Sequence, residues 1–117
     1  MALKHAKSGQ VVDLRPLGDE LKGAKTSAII KDEHFEAIRL ILHAGSTIPT
    51  HEVAGNIMLH CLEGHVRFGL SDGDIDLKAG EWVFLDQSED YSIAGVEDSS
   101  LLMTILFPQR ASPMPGR

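Results

Sequence analysis

Short apolar segments separated by polar turns make up most of this chain. In residues 65–70 apolar and polar side chains alternate, which predicts a strand with Val66, Phe68 and Leu70 facing inward. Residues 56–62 are apolar at almost every position, as expected of a central strand that is covered on both faces. This part of the chain therefore predicts β structure rather than helix.

The same pattern predicts the other strands. Turn signals recur about every 8–12 residues, and the strongest is the pair Asp72–Gly73, because glycine tolerates the positive φ angles of a tight hairpin. Further strands are predicted at residues 27–31, 35–43, 75–77, 82–85, 91–94 and 101–107. About nine short strands predict an all-β sandwich or barrel.

The two ends of the chain differ from this β region. Leu14, Leu17 and Leu21 are spaced as on one face of a helix, which predicts one or two helical turns between Asp13 and Lys22. A length of 117 residues is that of one domain. We expect an N-terminal arm with a short helical turn, then a β-barrel, then a flexible proline-rich tail. These parts span residues 1–25, 26–107 and 108–117.

Composition and charge exclude several classes of function. The net charge of −6 disfavours binding to nucleic acid, which requires a basic surface, and to anionic lipid. The single cysteine, Cys61, cannot form an internal disulfide, so we expect a reduced, cytoplasmic protein. No apolar run approaches ~20 residues, so no membrane span is expected. The first residues also lack the apolar segment of a signal peptide.

One segment carries the spacing of a known metal-binding motif. It runs from Gly45 to His51, with five residues between them, and on to Gly64. It resembles the first motif of the cupin family, G-x5-H-x-H-x3,4-E-x6-G, in which two His and one Glu hold a metal ion. In this chain Val53 stands at the position of the second His and Ile57 at that of the Glu.

A second segment resembles the second cupin motif, G-x5-P-x-G-x2-H-x3-N. Gly80 is its first residue, Asp86 takes the Pro position and Ser88 the Gly position. Tyr91 takes the position of the His, and Gly95 that of the Asn. The resemblance implies a double-stranded β-helix, or jelly-roll barrel, like that of the small single-domain bacterial, RmlC-like cupins.

In such a fold the four ligand positions point into the mouth of the barrel. In this chain they are His51, Val53, Ile57 and Tyr91. A zinc or iron site needs three or four nitrogen, oxygen or sulfur donors, and one imidazole with one phenol does not meet this. We therefore predict no tightly bound metal and no other cofactor. A divalent transition metal at His51 stays open as the alternative.

Other donors on the same strand do not rebuild the metal site. Cys61 shares the face of Ile57, but four residues of strand separate them by about 13 Å. His60 lies on the opposite face. We expect Cys61 to be a small buried apolar residue, since nothing near it in the sequence would lower its pKa.

The preferred interpretation is a protein that binds a small organic molecule in an apolar barrel mouth. His51 and Tyr91 would orient the ligand, as a few polar groups do in apolar pockets. One alternative is an enzyme that needs no metal, similar to sugar-nucleotide epimerases, with His51 as the base and Tyr91 as the acid. Another is a metal-dependent cupin enzyme whose ligands are rearranged.

The epimerase alternative requires further residues. Such enzymes pair their His with a carboxylate, and the candidates near His51 are Glu52 and Asp86. They also need basic residues for the diphosphate, but Arg39 and Arg67 are both predicted to face outward.

An outward-facing apolar stripe predicts self-association. Met58, His60 and Leu62 share the outer face of their strand if Ile57 faces the barrel interior, and exposed apolar stripes mark interfaces. We therefore predict a homodimer that uses this face, with the N-terminal arm as a further element of the contact. Trp82 is predicted to lie in the core or at this interface. The pair Glu63–Gly64 is interpreted as a turn without chemistry.

Overall fold

A computed structural model describes residues 5–48 and 55–108 of the chain. Within these ranges one 3₁₀ helix, Gly18–Gly23, precedes nine strands. The strands are β1 Ser27–Lys31, β2 Phe35–Leu42, β3 Thr47–Ile48, β4 Asn56–Glu63, β5 His65–Leu70, β6 Gly73–Lys78, β7 Trp82–Leu85, β8 Tyr91–Gly95 and β9 Ser99–Leu106. No helix among the described residues is long and apolar enough to span a membrane.

The strands form two antiparallel sheets that enclose one core. The five-stranded sheet has the order β1-β2-β9-β4-β7, and the four-stranded sheet has the order β3-β8-β5-β6. All pairings described in both sheets are antiparallel. The predicted all-β jelly-roll barrel is therefore confirmed.

The alternation seen in the sequence matches the burial of the side chains. In β5, Val66 and Phe68 are fully buried and Leu70 packs against the core, as predicted. In β4 the fully buried side chains are those of Ile57, Leu59 and Cys61. At roughly 25 cal/mol per Å² of apolar surface, burial of each such side chain contributes about 1.5–3 kcal/mol to folding.

β9 begins at Ser99, two residues before the predicted strand. Ser99 and Ser100 are fully buried, and apolarity alone does not identify buried serines as strand residues. Their hydroxyl groups have internal partners. Ser99 Oγ accepts a hydrogen bond from the His65 backbone N–H at 2.9 Å, and Ser100 Oγ donates to the Glu63 carboxylate at 2.6 Å. These bonds remove the cost of burying a hydroxyl group.

The helical segment is shorter than the leucine spacing predicts. It begins at Gly18 instead of Asp13, because Gly18 has a φ of +60°, and this left-handed conformation prevents a right-handed helix from running from Asp13 through Gly18. Leu21 is nevertheless buried, as expected of the inward side of this turn. The predicted tail beyond Pro108 lies outside the described residues.

Gly64 makes the tight connection between β4 and β5. Its φ is +93°, and a Cβ at this position would overlap the carbonyl oxygen of Asp98 and the hydroxyl group of Ser99. Gly80 has almost the same φ, +89°, but a Cβ there would meet open space. Substitutions at these two glycines therefore distinguish the free-energy cost of a left-handed backbone from that of a steric overlap.

We expect Gly64→Ala to destabilise the fold much more than Gly80→Ala. The left-handed conformation alone costs an alanine about 1–2 kcal/mol, which is the expected loss at Gly80. At Gly64 the overlap with backbone atoms raises the expected loss above about 3 kcal/mol. Urea unfolding of both variants measures the difference. Equal losses would contradict the close approach at Gly64.

Candidate functional site

Ile57 and Tyr91 lie at the same end of the barrel. Ile57, near the start of β4, pairs with Leu85 at the end of β7. A short loop, residues 86–90, leads from Leu85 to Tyr91 at the start of β8. This end corresponds to the barrel mouth that the sequence analysis predicted.

The two residues are buried in one apolar cluster. Ile57 is fully buried, and Tyr91 is 7% exposed. The ring of Tyr91 packs at a tilt against that of Phe68, with centroids 6.4 Å apart. Burial raises the pKa of Tyr91, so the phenol stays neutral near pH 7. The phenol of Tyr91 can therefore donate a hydrogen bond or a proton.

His51 and Val53 lie outside the described residues, so their roles stay predictions. Residues 49–54 connect Ile48, at the end of β3, to Gly55, which precedes β4. Of the four predicted ligand-binding positions, the structure describes two.

Polar side chains of the rim fold the loop between β7 and β8. The amide oxygen of Asn56 accepts a hydrogen bond from the backbone N–H of Gln87 at 2.9 Å. The carboxylate of Asp86 accepts bonds from the hydroxyl group and the backbone N–H of Ser88, at 2.6 and 2.7 Å. These two bonds lower the pKa of Asp86. Asp86, a candidate partner of His51, is thus ionised and already bonded within its own turn.

The described residues do not fit the metal centre of intact cupins. Ile57 offers no donor atom, and the phenol of Tyr91 is neutral. Within residues 5–48 and 55–108, no group of three or more His, Cys, Asp or Glu side chains is placed to hold a metal ion. A transition-metal site needs three or four donors, so we derive no chemistry through a metal at this mouth.

The basic residues that a diphosphate would need are engaged elsewhere. Arg67 faces outward, as predicted, and its guanidinium binds Asp76 with a nitrogen–oxygen distance of 2.7 Å. His65 Nε2 lies 3.4 Å from the same carboxylate. Arg39 is held at the opposite end of β4 from Ile57, where it lies near Glu63. Neither arginine therefore serves the mouth.

Cys61 and His60 are where strand parity predicts. Cys61 is fully buried, and burial raises the pKa of its thiol to about 11. His60 lies on the outer face, in register with Trp82 of β7 and Leu102 of β9. Neither side chain faces the mouth.

A polar cluster that the sequence analysis missed lies on the outer face of the five-stranded sheet. The carboxylate of Glu63 accepts hydrogen bonds from the backbone N–H groups of Leu17 and Gly18, at 2.8 and 3.1 Å, and from Ser100 Oγ at 2.6 Å. Arg39 lies 3.6 Å from Glu63, and the two side chains are only 11% and 13% exposed. This cluster fastens the N-terminal segment to the sheet.

One sequence interpretation is therefore wrong, and another is incomplete. Arg39 faces outward from its strand, as predicted, but it is not exposed, because the N-terminal segment covers it and the carbonyl of Arg15 accepts a bond from its guanidinium at 2.6 Å. Glu63 ends β4 and organises four contacts, instead of lying in a turn without chemistry. The available signal was the presence of charged side chains in two mainly apolar strands, β2 and β4.

The contacts of Glu63 control its ionisation. Burial alone would raise the pKa of this carboxyl group. The hydrogen bonds from Leu17, Ser100 and Gly18 and the charge of Arg39 outweigh burial, and they lower the pKa below its ordinary value. Glu63 lies about 20 Å along the strand from Ile57, so its role is structural.

The described fold is similar to several solved structures. A cupin superfamily protein from Desulfitobacterium hafniense matches with a TM-score of 0.70 and 17% identity, over 84% of this chain and 95% of that one. A conserved protein of unknown function from Streptococcus pyogenes matches with a TM-score of 0.72 and 14% identity, over 94% of this chain and 100% of that one. An RmlC-like cupin protein from Desulfovibrio desulfuricans matches with 0.63 and 22%, over 87% and 97%. No protein-family model and no curated protein matches the sequence.

At these identities the similarity establishes the fold. The chain is an all-β cupin barrel, as the spacing of its two motifs implied. The identity of its ligand stays a prediction.

We expect Glu63→Gln to destabilise the fold near neutral pH and much less in acid. A folded-state pKa below the unfolded one stabilises the fold at high pH, and this contribution is lost as pH falls through the folded pKa. The expected loss is about 2 kcal/mol at about pH 7 and under about 1 kcal/mol at about pH 3. Urea unfolding at both pH values measures it. Glu97→Gln, an exposed carboxylate, is the control. A loss of stability that is equal at both pH values would contradict an ionised Glu63 in the folded state.

Cys61 should react with a thiol reagent only when the chain unfolds. The buried thiol, with its pKa of about 11, is almost fully protonated at about pH 8, and the thiolate is the reactive form. We expect labelling by Ellman's reagent to follow the unfolding rate in native buffer and to be rapid in urea. Rapid labelling of the native protein would contradict the burial of Cys61.

Proposed function

We propose that this cupin barrel binds a small, neutral, largely apolar organic molecule in its mouth without a tightly bound metal. His51 and Tyr91 orient the ligand, and Val53 and Ile57 contribute apolar contacts. The single observation that supports this most is the pair Ile57 and Tyr91. An apolar side chain and a neutral phenol stand where the metal centre of the family has ionised or coordinating donors.

The chemistry of the described mouth favours a neutral ligand. Ile57, Leu85 and Tyr91 belong to one apolar cluster, so an ionised ligand group placed there would lose its hydration without an opposite charge. The carboxylate of Asp86, which directly follows Leu85, is bonded within its own turn. Tyr91 retains its proton and can donate a hydrogen bond to a carbonyl or hydroxyl oxygen of the ligand.

An acid–base reaction on a sugar diphosphate has less support. Arg67 is bound to Asp76, and Arg39 lies under the N-terminal segment. Neither of these two arginines is therefore available to bind a diphosphate at the mouth. We assign the mouth to binding and not to catalysis.

A screen of neutral phenols, cyclic ketones and aromatic alcohols by thermal shift tests the proposal. We expect a subset of these compounds to raise the melting temperature of the wild-type protein. For these, Tyr91→Phe should weaken binding by about 3–10-fold, the equivalent of one hydrogen bond, while keeping the apolar ring. His51→Ala should weaken it at least as much. Ser92→Ala, at the position after Tyr91, is the matched control.

Two results would overturn the proposal. One is a complete absence of stabilisation across the screen, together with unchanged behaviour of His51→Ala. The other is a stoichiometric transition metal, found by elemental analysis of protein purified without a chelator. The second result would favour a metal-dependent cupin with rearranged ligands.

A further inference from the structure

The outer face of the five-stranded sheet is only partly covered. The N-terminal segment covers the end near Arg39 and Glu63, through the bonds described above. The other part, which we call the apolar outer face, consists of Met58, His60, Trp82, Phe84, Leu102 and Leu106. These side chains lie on adjacent strands. Met58 is in register with Phe84, and His60 lies between Trp82 and Leu102.

This face exposes large side chains. Trp82 is 58% exposed and Phe84 is 48% exposed. Of the two locations predicted for Trp82, the core and the interface, the core is therefore wrong. With Leu106, which is also exposed, Trp82 and Phe84 present about 300 Å² of apolar surface, given that a large aromatic side chain buries about 150–250 Å². The half-buried Met58, His60 and Leu102 add to this area. A patch of this size is within the range of the largest apolar patches on monomeric proteins, and such patches often have a function.

A groove beside this face is bordered by the two edge strands β6 and β7. These two strands differ in how they are protected from pairing with another chain. β6, at the edge of the four-stranded sheet, alternates Asp74, Asp76 and Lys78 with apolar residues. Charges of this kind protect an edge strand from pairing with another chain. β7, at the edge of the five-stranded sheet, carries Trp82 and Phe84 and has no strand beyond it among the described residues. One edge is thus protected by charge and the other is not.

We propose that a second copy of this chain covers the apolar outer face. The distribution of charge favours a second copy of the chain as the partner. Each copy has a net charge of −6, so two copies repel each other unless they meet through uncharged surfaces. The face contains no Asp, Glu, Lys or Arg among its six residues. A partner with a basic surface would be matched by carboxylates, which this face lacks.

The composition of the face also fits the centre of a symmetric contact. A stable interface buries about 800 Å² on each partner, with an apolar centre and a polar rim. The apolar outer face supplies the centre. In a two-fold symmetric contact the same patch serves both partners, so an uncharged apolar surface is complementary to itself. This inference does not depend on the ligand proposed for the mouth.

The only tryptophan of the chain lies in this face, so its fluorescence reports the contact directly. Sedimentation and Trp82 emission are measured from about 1 to about 100 µM. At the upper end we expect a particle of about twice the chain mass of 12.7 kDa, with blue-shifted emission. Dilution should give the monomer together with a red shift.

Two charge substitutions test the location of the contact. Phe84→Glu should weaken dimerisation by about 100-fold or more and leave Trp82 emission red-shifted at every concentration. Val96→Glu makes the same change at a side chain of similar exposure, 42%, in the loop between β8 and β9, and should leave the dimer intact. Both side chains are already exposed, so the folded state should tolerate both changes, as circular dichroism can verify.

Several results would overturn the proposal. A wild-type monomer at about 100 µM with red-shifted emission would show that the face is free. A monomer with blue-shifted emission would show that another part of the same chain covers Trp82. A dimer that resists Phe84→Glu, or that Val96→Glu dissociates, would place the contact elsewhere.

Discussion

The period-two alternation of β4 is the constraint on which the rest of the structure depends. β4 lies between β9 and β7, so both of its edges are hydrogen-bonded and its register is fixed on both sides. A shift of one residue would exchange its two faces completely. The alternation places Ile57 and Cys61 in the barrel and Met58 and His60 on the outer face. One strand thereby defines the chemistry of the mouth and that of the proposed interface.

The cluster around Glu63 sets how much of the outer face remains free. An isolated carboxylate at 13% exposure would be costly, and ion pairing with Arg39 alone would barely offset the desolvation of both groups. Three hydrogen bonds to the Glu63 carboxylate supply the rest of the stabilisation that its burial requires. Two of them come from the backbone of the N-terminal segment, so the charge is stable only when this segment is docked. The fold thus covers the part of the sheet around Arg39 and Glu63 and leaves Trp82, on the edge strand β7, uncovered.

The sequence predicts those features of this fold that arise from local patterns. The bounds of β1, β5 and β7 follow from alternation and turn residues, and the hairpin after β5 follows from Asp72–Gly73. Chain-distant contacts explain what could not be predicted. Glu63 is bonded to residues 46 and 45 positions away, so no local signal distinguishes it from a turn residue. β3 has only two residues, too few to show a period.

The candidate site was predictable in its framework and not in its ligand. Motif spacing placed Ile57 and Tyr91 at one end of the barrel, because the spacing between glycines fixes where strands begin. Exposure of individual side chains was less predictable. Trp82 is apolar, yet it lies on the outer face of an edge strand, and only the pairing of β7 with β4 determines that. Side-chain exposure is a property of the sheet order, which alternation alone does not encode.

The departures from the cupin metal motif are consistent with one another, and this supports the proposed neutral mouth. A glutamate at position 57 would be fully buried, and its charge would need a metal ion or a cation as a partner. With Val53 and Tyr91 in place of two histidines, a metal at His51 would lack the donors to be held there. A carboxylate at position 57 would then be an unpaired buried charge, at a cost of several kcal/mol. Ile57 removes this cost and adds apolar contacts to the core. The three departures from the motif are therefore mutually compatible, and together they support the proposal of a barrel mouth that needs no ion.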